Sequence, residues 1–261
     1  MEEIMWKFQL EHIDDLGKDF LDSFDRLPET DHLDGKYRLR RYSVFQCEET
    51  HQRLGTHEDV CVKYGKLPAR SFTQSSEYNT HQGDVERKFA DIEDITANSN
   101  TMQKLLHVFH QRCFYSHIEI EVHQMRVITR DGGKISPEGI HQDGYDRIAM
   151  LGVNRHNISG GHLLLYNTKD GDPIVNMSLE NGDMAFVNDK ELWHNGSPIK
   201  KKKQVFDSRG KFVKQADNGH MDILIMLANF VGHITWAIHE DQMFKLLRKE
   251  WPPDNERLCH E

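Results

Sequence analysis

The sequence predicts a mainly β protein, a sandwich or barrel of short strands with helices at its flanks. Short β-prone runs recur from residue 117 onward. Turn signals such as Asp131-Gly132-Gly133, Gly160-Gly161, Asn181-Gly182-Asp183 and Asn195-Gly196 separate them. Helical periodicity is confined to the two ends and one middle segment. Strands at this spacing favour two packed sheets over an α/β sheet. A jelly roll of the cupin-like kind is one such solution.

The elements follow in order. Residues 4–24 place Ile4, Trp6 or Phe8, Ile13, Leu16, Phe20 and Phe24 at helical spacing, which predicts one or two helices ending before Pro28. Tyr37–Cys47 alternates as a strand, with Arg38, Arg40, Tyr42 and Val44 on one face. Residues 65–100 are polar and predict loops. Thr101–Phe114 is helical through Met102, Leu105, Leu106, Phe109 and Cys113. The strand runs are Ile118–Thr129, Arg147–Asn154, His162–Tyr166, Ile174–Ser178, Met184–Val187, Gln204–Asp207, Lys211–Lys214 and Asp222–Val231. A last helix is expected over Glu240–Trp251, stopped by Pro252-Pro253. The expected organisation is a single domain over 1–261. It comprises a helical, loop-rich part (1–116), a jelly-roll core (117–235) and a C-terminal helix (236–261).

Composition narrows the function. Acidic residues number 42 and basic residues 33, a net charge of −9, which argues against nonspecific binding to nucleic acid or an anionic membrane. The longest apolar run, Ile223–Ile238, is interrupted by Asn229 and His233 and is too short and polar to span a bilayer. Cys47, Cys61, Cys113 and Cys259 form no CxxC pair, so a structural zinc site of the usual spacing is not expected. Met1–Asp25 is rich in acids and unlike a signal peptide, so a reduced, cytoplasmic protein is expected. Oligomeric state is not legible.

The chemistry centres on Pro137-Glu138-Gly139-Ile140-His141-Gln142-Asp143-Gly144. In extended backbone His141 and Asp143 point to the same side and can reach one ion. His194, in Glu191-Leu192-Trp193-His194-Asn195-Gly196, offers a third ligand from another strand. Two histidines and a carboxylate form the facial set that leaves open positions on Fe(II). Those positions admit a bidentate cosubstrate and dioxygen.

Further motifs surround this core: His123-Gln124-x-Arg126, Asn154-Arg155-x-Asn157-Ile158-x-Gly160-Gly161, Leu179-x-x-Gly182-Asp183, His194-x-x-Ser197-Pro198-Ile199, and Arg38-x-Arg40-Arg41-Tyr42 near the start. Together with the HxD segment they resemble the 2-oxoglutarate/Fe(II) dioxygenases of the isoleucine-hydroxylase type. The resemblance implies a double-stranded β-helix, Fe(II), 2-oxoglutarate and dioxygen. It also implies oxidative decarboxylation to succinate, coupled to hydroxylation of an aliphatic C–H of a free amino acid or similar small molecule.

One departure stands out. In that family an Arg-Asp pair follows the distal histidine, and its arginine grips the far carboxylate of 2-oxoglutarate. Here the matching pair is Met221-Asp222, and a thioether cannot make that contact. Either another cation substitutes, or the cosubstrate differs, or hydroxylase turnover is lost. The expected substitute is Arg126, with Arg209 or Arg147 behind it and His220 as a conditional imidazolium. The insert Lys200–Gly219 reads as a solvated hairpin.

Arg40, Tyr42 and Gln124 are candidate substrate contacts, each also readable as ordinary ion-pair or lining residues. Glu138 is a candidate partner for the free N–H of a ligand histidine, or a turn residue. Two other classes compete: a cupin-like metal-binding sensor without turnover, which Met221 favours, and a zinc hydrolase on the same triad.

Overall fold

The computed structural model describes residues 7–54, 57–79, 83–113, 118–130, 133–202, 205–206, 209, 212–213, 218–229 and 256–258. In chain order the elements begin with β1 (Phe8–His12), α1 (Lys18–Ser23) and a 3-10 turn (Phe24–Arg26). Next come β2 (Arg38–Leu54), β3 (His57–Lys66), α2 (Asp94–Ala97), α3 (Asn100–Cys113) and β4 (Glu119–Ile128). Then follow β5 (Arg147–His156), β6 (Ile158–Gly160), β7 (His162–Tyr166), β8 (Val175–Ser178) and β9 (Asp183–Val187). The remainder are β10 (Trp193–Gly196), β11 (Ile199–Lys201), β12 (Val205–Phe206), β13 (Phe212–Val213), β14 (His220–Ala228) and β15 (Glu256–Leu258).

The large sheet runs β1-β9-β5-β14-β4-β2-β3-β15, antiparallel except for the parallel β15–β3 pair. A smaller layer comprises β10-β7-β8 and the β11–β6 pair. The two layers bury one core between them. Met125, Val127, Met150, Ile223 and Leu227 of the large sheet pack there with Leu163, Leu165 and Ile199 of the small one. A second core lies on the other face of the large sheet. There Phe20, Phe24, Leu105, Leu106 and Phe109 of the helical segments cover Ile120, Val122, Leu224 and Met226. Neighbouring residues of one strand thus belong to different cores, as the alternation of a pleated strand requires. This is the mainly β, double-layered architecture expected from the strand pattern.

Two expectations need correction. Within the predicted helix over 4–24, Phe8–His12 is instead a strand paired with β9, from Phe8↔Val187 to His12↔Asp183. Helix geometry cannot run on from there into α1, because Asp15 and Gly17 both have positive φ (52° and 62°). The strand expected over Tyr37–Cys47 is also longer, running to Leu54 as β2, and β3, for which no strand was expected, pairs with it as a hairpin, whereas the described residues between 67 and 93 form the loops expected of the polar segment. The predicted helix Glu240–Trp251 lies outside the described residues. The insert after β11 contains the short β12–β13 antiparallel pair, as a hairpin would. Among the described residues no helix is long and apolar enough to cross a membrane.

Candidate active site

His141 and His194 are held together by their own backbones. Each donates its amide N–H to the other's carbonyl, at 3.0 and 2.8 Å, which joins the segment before β5 to β10. The two imidazole centroids are 4.2 Å apart. Asp143 completes the group: its Oδ1 lies 3.6 Å from His141 Nε2, and its Oδ2 lies 3.4 Å from His194 Nε2. One donor atom from each residue fits within 4.8 Å of the others. The HxD spacing therefore delivers both ligands to one side, and the β10 bridge supplies the third.

The groups behind these ligands fix their orientation. His141 Nδ1 is 2.8 Å from the Gly139 carbonyl, and His194 Nδ1 is 3.3 Å from Asp189 Oδ1. Both Nε2 atoms thus face Asp143. Asp189 is fully buried, and its Oδ2 accepts the backbone N–H groups of Asp143, Gly144 and Tyr145 at 2.9, 2.7 and 3.1 Å. The turn there needs glycine: Gly144 has φ +86°, and a Cβ on it would come 2.6 Å from the Tyr78 ring. From the loop after β3, Gln74 donates to Asp143 Oδ1 at 2.8 Å. Gln74 in turn accepts from Asn79 and Arg87, each at 2.9 Å.

The electrostatics of the cluster favour positive charge between its side chains. Burial opposes a charged His194, but Asp143 and Asp189 outweigh it and raise its pKa to about 10. Burial likewise opposes a charged Asp143, yet its two histidine neighbours hold it well below the usual carboxylate range. A cation is therefore favoured between these groups, and a divalent metal can take the place of the proton. Two imidazoles, one carboxylate and an open cavity fit Fe(II) with free positions.

That cavity encloses about 1020 Å3 of empty space, its mouth included. Its sheet-side wall is apolar, through Met125, Ile148, Met150, Ile223, Ile225 and Leu227. Three arginines, Arg38, Arg40 and Arg87, also line it. Arg38 is paired with Asp34 at 2.6 Å. Arg40 is buried, and its Nη2 meets the sulfur of Met125 at 3.3 Å while its guanidinium lies 5.0 Å over Phe89. Burial, with Arg38 and Arg87 adding to it and Asp34 and Glu138 opposing it, draws Arg40 down to about 9. His123 lines the same wall, packed on Tyr42 and Phe72, and neither of its ring nitrogens has a hydrogen-bond partner among the described residues.

The structure separates the other residues expected at the site. Arg40 lines the cavity, whereas Tyr42 lies beside it and donates to Glu121 at 2.7 Å. Gln124 does not line the cavity; it is buried on the opposite face of β4 and donates to Ser23 Oγ at 2.6 Å. Arg126 shares that face. Its guanidinium makes two bonds to Asp222, at 2.6 and 2.8 Å, and a third to Asp25 at 2.8 Å. Alternation is the reason: His123 and Met125 point inward, so Gln124 and Arg126 point outward. Arg209 is exposed, and neither it nor Arg147 lines the cavity. His220 stacks on His156, and burial lowers its pKa, so it supplies no imidazolium to the cavity. Glu138 lines the cavity with Oε1 3.3 Å from His141 Nε2, on the metal side of the ring; the outer nitrogen belongs to the Gly139 carbonyl. Sequence reasoning missed Asp189, Gln74, Arg87 and the position of Arg155. Only Asp189, close before His194, offered a local signal.

Comparison with known proteins agrees with this geometry. A bsmA homolog from Methylobium petroleophilum superposes with a TM-score of 0.65 at 21% identity, covering 88% of this chain and 91% of its own. IDO from Bacillus thuringiensis gives 0.64 at 16% identity, with 88% and 93% covered. The Fe(II)/(alpha)ketoglutarate-dependent dioxygenase TqaL gives 0.58 at 13%, with 87% and 84% covered. At such identities these likenesses speak for the fold alone. No curated protein matches the chain. Residues 21–226 match the 2OG-Fe dioxygenase family. That match spans most of the sequence and includes all three ligands, so the chain belongs to the 2OG-Fe dioxygenase family, with His141, Asp143 and His194 as its iron-binding triad.

Proposed function

We propose that this dioxygenase hydroxylates an aliphatic C–H of a free amino acid or a similarly small, anionic molecule. The carrying observation is the cavity beside the triad, apolar on its sheet-side wall and edged by Arg38, Arg40 and Arg87. Such a space suits an aliphatic chain with a carboxylate at one end. The distant likeness to IDO, an isoleucine dioxygenase, supports the same class of substrate.

Bound Fe(II) and 2-oxoglutarate supply the oxidising chemistry, with dioxygen as co-reactant and succinate and CO2 as by-products. The chain's own residues hold and orient. His141, Asp143 and His194 hold the metal on one side, and Asp189 and Gln74 fix the directions of the ligand atoms. Arg40 offers the substrate carboxylate a buried cation. Glu138, facing the cavity, offers an acceptor to an ammonium group. Ile148, Met150, Ile225 and Leu227 exclude water from the aliphatic part.

The reading takes 1–261 as one dioxygenase domain, because Gln74 and Arg87 from its first half line the same cavity as the triad. A reducing compartment suits the buried free thiol of Cys113. The test is a panel of free amino acids with Fe(II), 2-oxoglutarate and dioxygen, read by mass spectrometry. A product 16 mass units heavier than one substrate, formed in step with succinate, supports the proposal. Succinate without a hydroxylated amino acid contradicts the substrate class. Neither product across the panel favours the sensor alternative.

A further inference from the structure

The resemblance predicts an arginine where Met221 stands, and Met221 lines the cavity. We infer that Arg155, on the adjoining strand, holds the carboxylate of the 2-oxo-acid that lies remote from the iron. The inference rests on the use of such a cosubstrate and is independent of which substrate is hydroxylated.

Register brings the two side chains together. Met221 of β14 pairs directly with Arg155 of β5, and cross-strand partners project to the same face. Arg155 Nη1 lies 3.5 Å from the Met221 sulfur. The guanidinium is held in place: Nη1 donates to the Gly161 carbonyl at 3.1 Å, and Nη2 to the Gly160 carbonyl at 2.5 Å. A cation fixed in this way loses little freedom on meeting a carboxylate.

Its charge is weakly answered. The Arg155 side chain is 12% exposed, and its acidic neighbour, Glu180, stands 3.6 Å from Nε with 65% of its own side chain in solvent. An exposed partner at that distance contributes little. Of the other arginines, Arg40 lines the cavity and is the one assigned above to the substrate carboxylate, while Arg126 and Arg38 are otherwise engaged. Arg126 faces away and is bound to Asp222 and Asp25. Arg38 occupies the same row across β4, but buried Asp34 neutralises it.

Arg155 does not itself line the cavity; its guanidinium lies directly behind Gly161 and Met221, which do. Gly161 lines the cavity wall with φ +68°. A Cβ there would lie 3.3 Å from Arg155 Nη1 and 3.0 Å from the Met221 sulfur. It would also meet Ile199 Cγ2 at 2.8 Å, so only glycine lets the wall lie this close to the guanidinium, with the Met221 side chain between the cavity and Arg155. The Met221 side chain, unbranched and polarisable, can shift aside.

The experiment uses the full-length protein loaded anaerobically with Fe(II). It is titrated with 2-oxoglutarate and with 2-oxobutyrate, which chelates identically but lacks the second carboxylate. The visible metal-to-ligand charge-transfer band reports binding. Wild type is expected to bind 2-oxoglutarate at least tenfold more tightly. In Arg155→Met that preference disappears, while 2-oxobutyrate binds as in wild type, which also shows that the metal site is intact. Should the loss of the Gly160 and Gly161 contacts unfold that variant, Arg155→Lys serves: it keeps a charge but not the bidentate fork, so the preference falls without vanishing. Adding Met221→Arg to the Arg155→Met protein is expected to restore it. An undiminished preference in both Arg155 variants overturns the inference, as does its loss in Arg40→Met instead. A wild type that binds both acids equally overturns it too. If neither acid produces the band, the cosubstrate reading itself fails.

Discussion

The buried carboxylate of Asp189 receives the backbone N–H of Asp143 at 2.9 Å. Its other oxygen stands 3.3 Å from His194 Nδ1. One side chain outside the ligand set thus positions two of the three ligands. Asp189→Ala is expected to lower Fe(II) or Co(II) affinity about 10–100-fold. It also strands the amides of Asp143, Gly144 and Tyr145, at about 1–3 kcal/mol for each buried group left unpaired. Metal titration and denaturant melts check both effects. An affinity equal to that of wild type would remove Asp189 from the metal-positioning role.

Gln74 joins the arginine wall to the metal ligand, accepting from Arg87 and donating to Asp143. Gln74→Leu keeps the bulk but removes these two bonds and the one accepted from Asn79. About tenfold weaker metal binding is expected, by the same logic of supporting hydrogen bonds. Isothermal titration with Co(II) measures it, and circular dichroism confirms that the fold is retained.

Proton competition gives the metal affinity a pH dependence. Without metal, Asp143 and Asp189 overcome burial and raise His194 to about 10. The proton therefore stabilises the metal-free fold fully below the unfolded value of 6.5, and that contribution is lost as pH rises through about 10. Metal must displace this proton, so affinity should climb towards tenfold per pH unit between about 7 and 9. Co(II) titrations in buffers of different ionisation enthalpy count the proton released. A flat profile would show that His194 is already neutral at pH 7.

Among the described residues, neither ring nitrogen of His123 has a hydrogen-bond partner, and the ring packs among Tyr42, Phe72 and Phe89. Replacing a buried, unsatisfied polar ring by an apolar one of similar shape is expected to be neutral or stabilising, by about 1–3 kcal/mol. His123→Phe should therefore raise or preserve the midpoint of thermal unfolding. A marked fall would mean that the imidazole is hydrogen-bonded in the metal-free protein.

The triad was legible because its chemistry is local: His141 and Asp143 share one side of an extended segment, and His194 follows after a run of strands. The inward row of Arg38, Arg40 and Tyr42 was legible from alternation alone. Arg126 could not be judged in this way. Its cross-strand partner proved to be Asp222, a pairing that depends on how β4 and β14 align and that no local pattern encodes. The same register brings Arg155 to Met221. Gln74 and Arg87 come from a polar loop whose path is set by tertiary contacts. The strand β1 was read as helix because its apolar residues fell into helical spacing with Ile13 and Leu16, and only its pairing with β9 decides the matter.

The most direct test of the account is an anaerobic Fe(II) titration of wild type beside His141→Ala, Asp143→Ala and His194→Ala. The structure predicts one tightly held iron per wild-type chain and a loss of at least a hundredfold in affinity in each variant. Undiminished iron binding in any of the three would contradict the site.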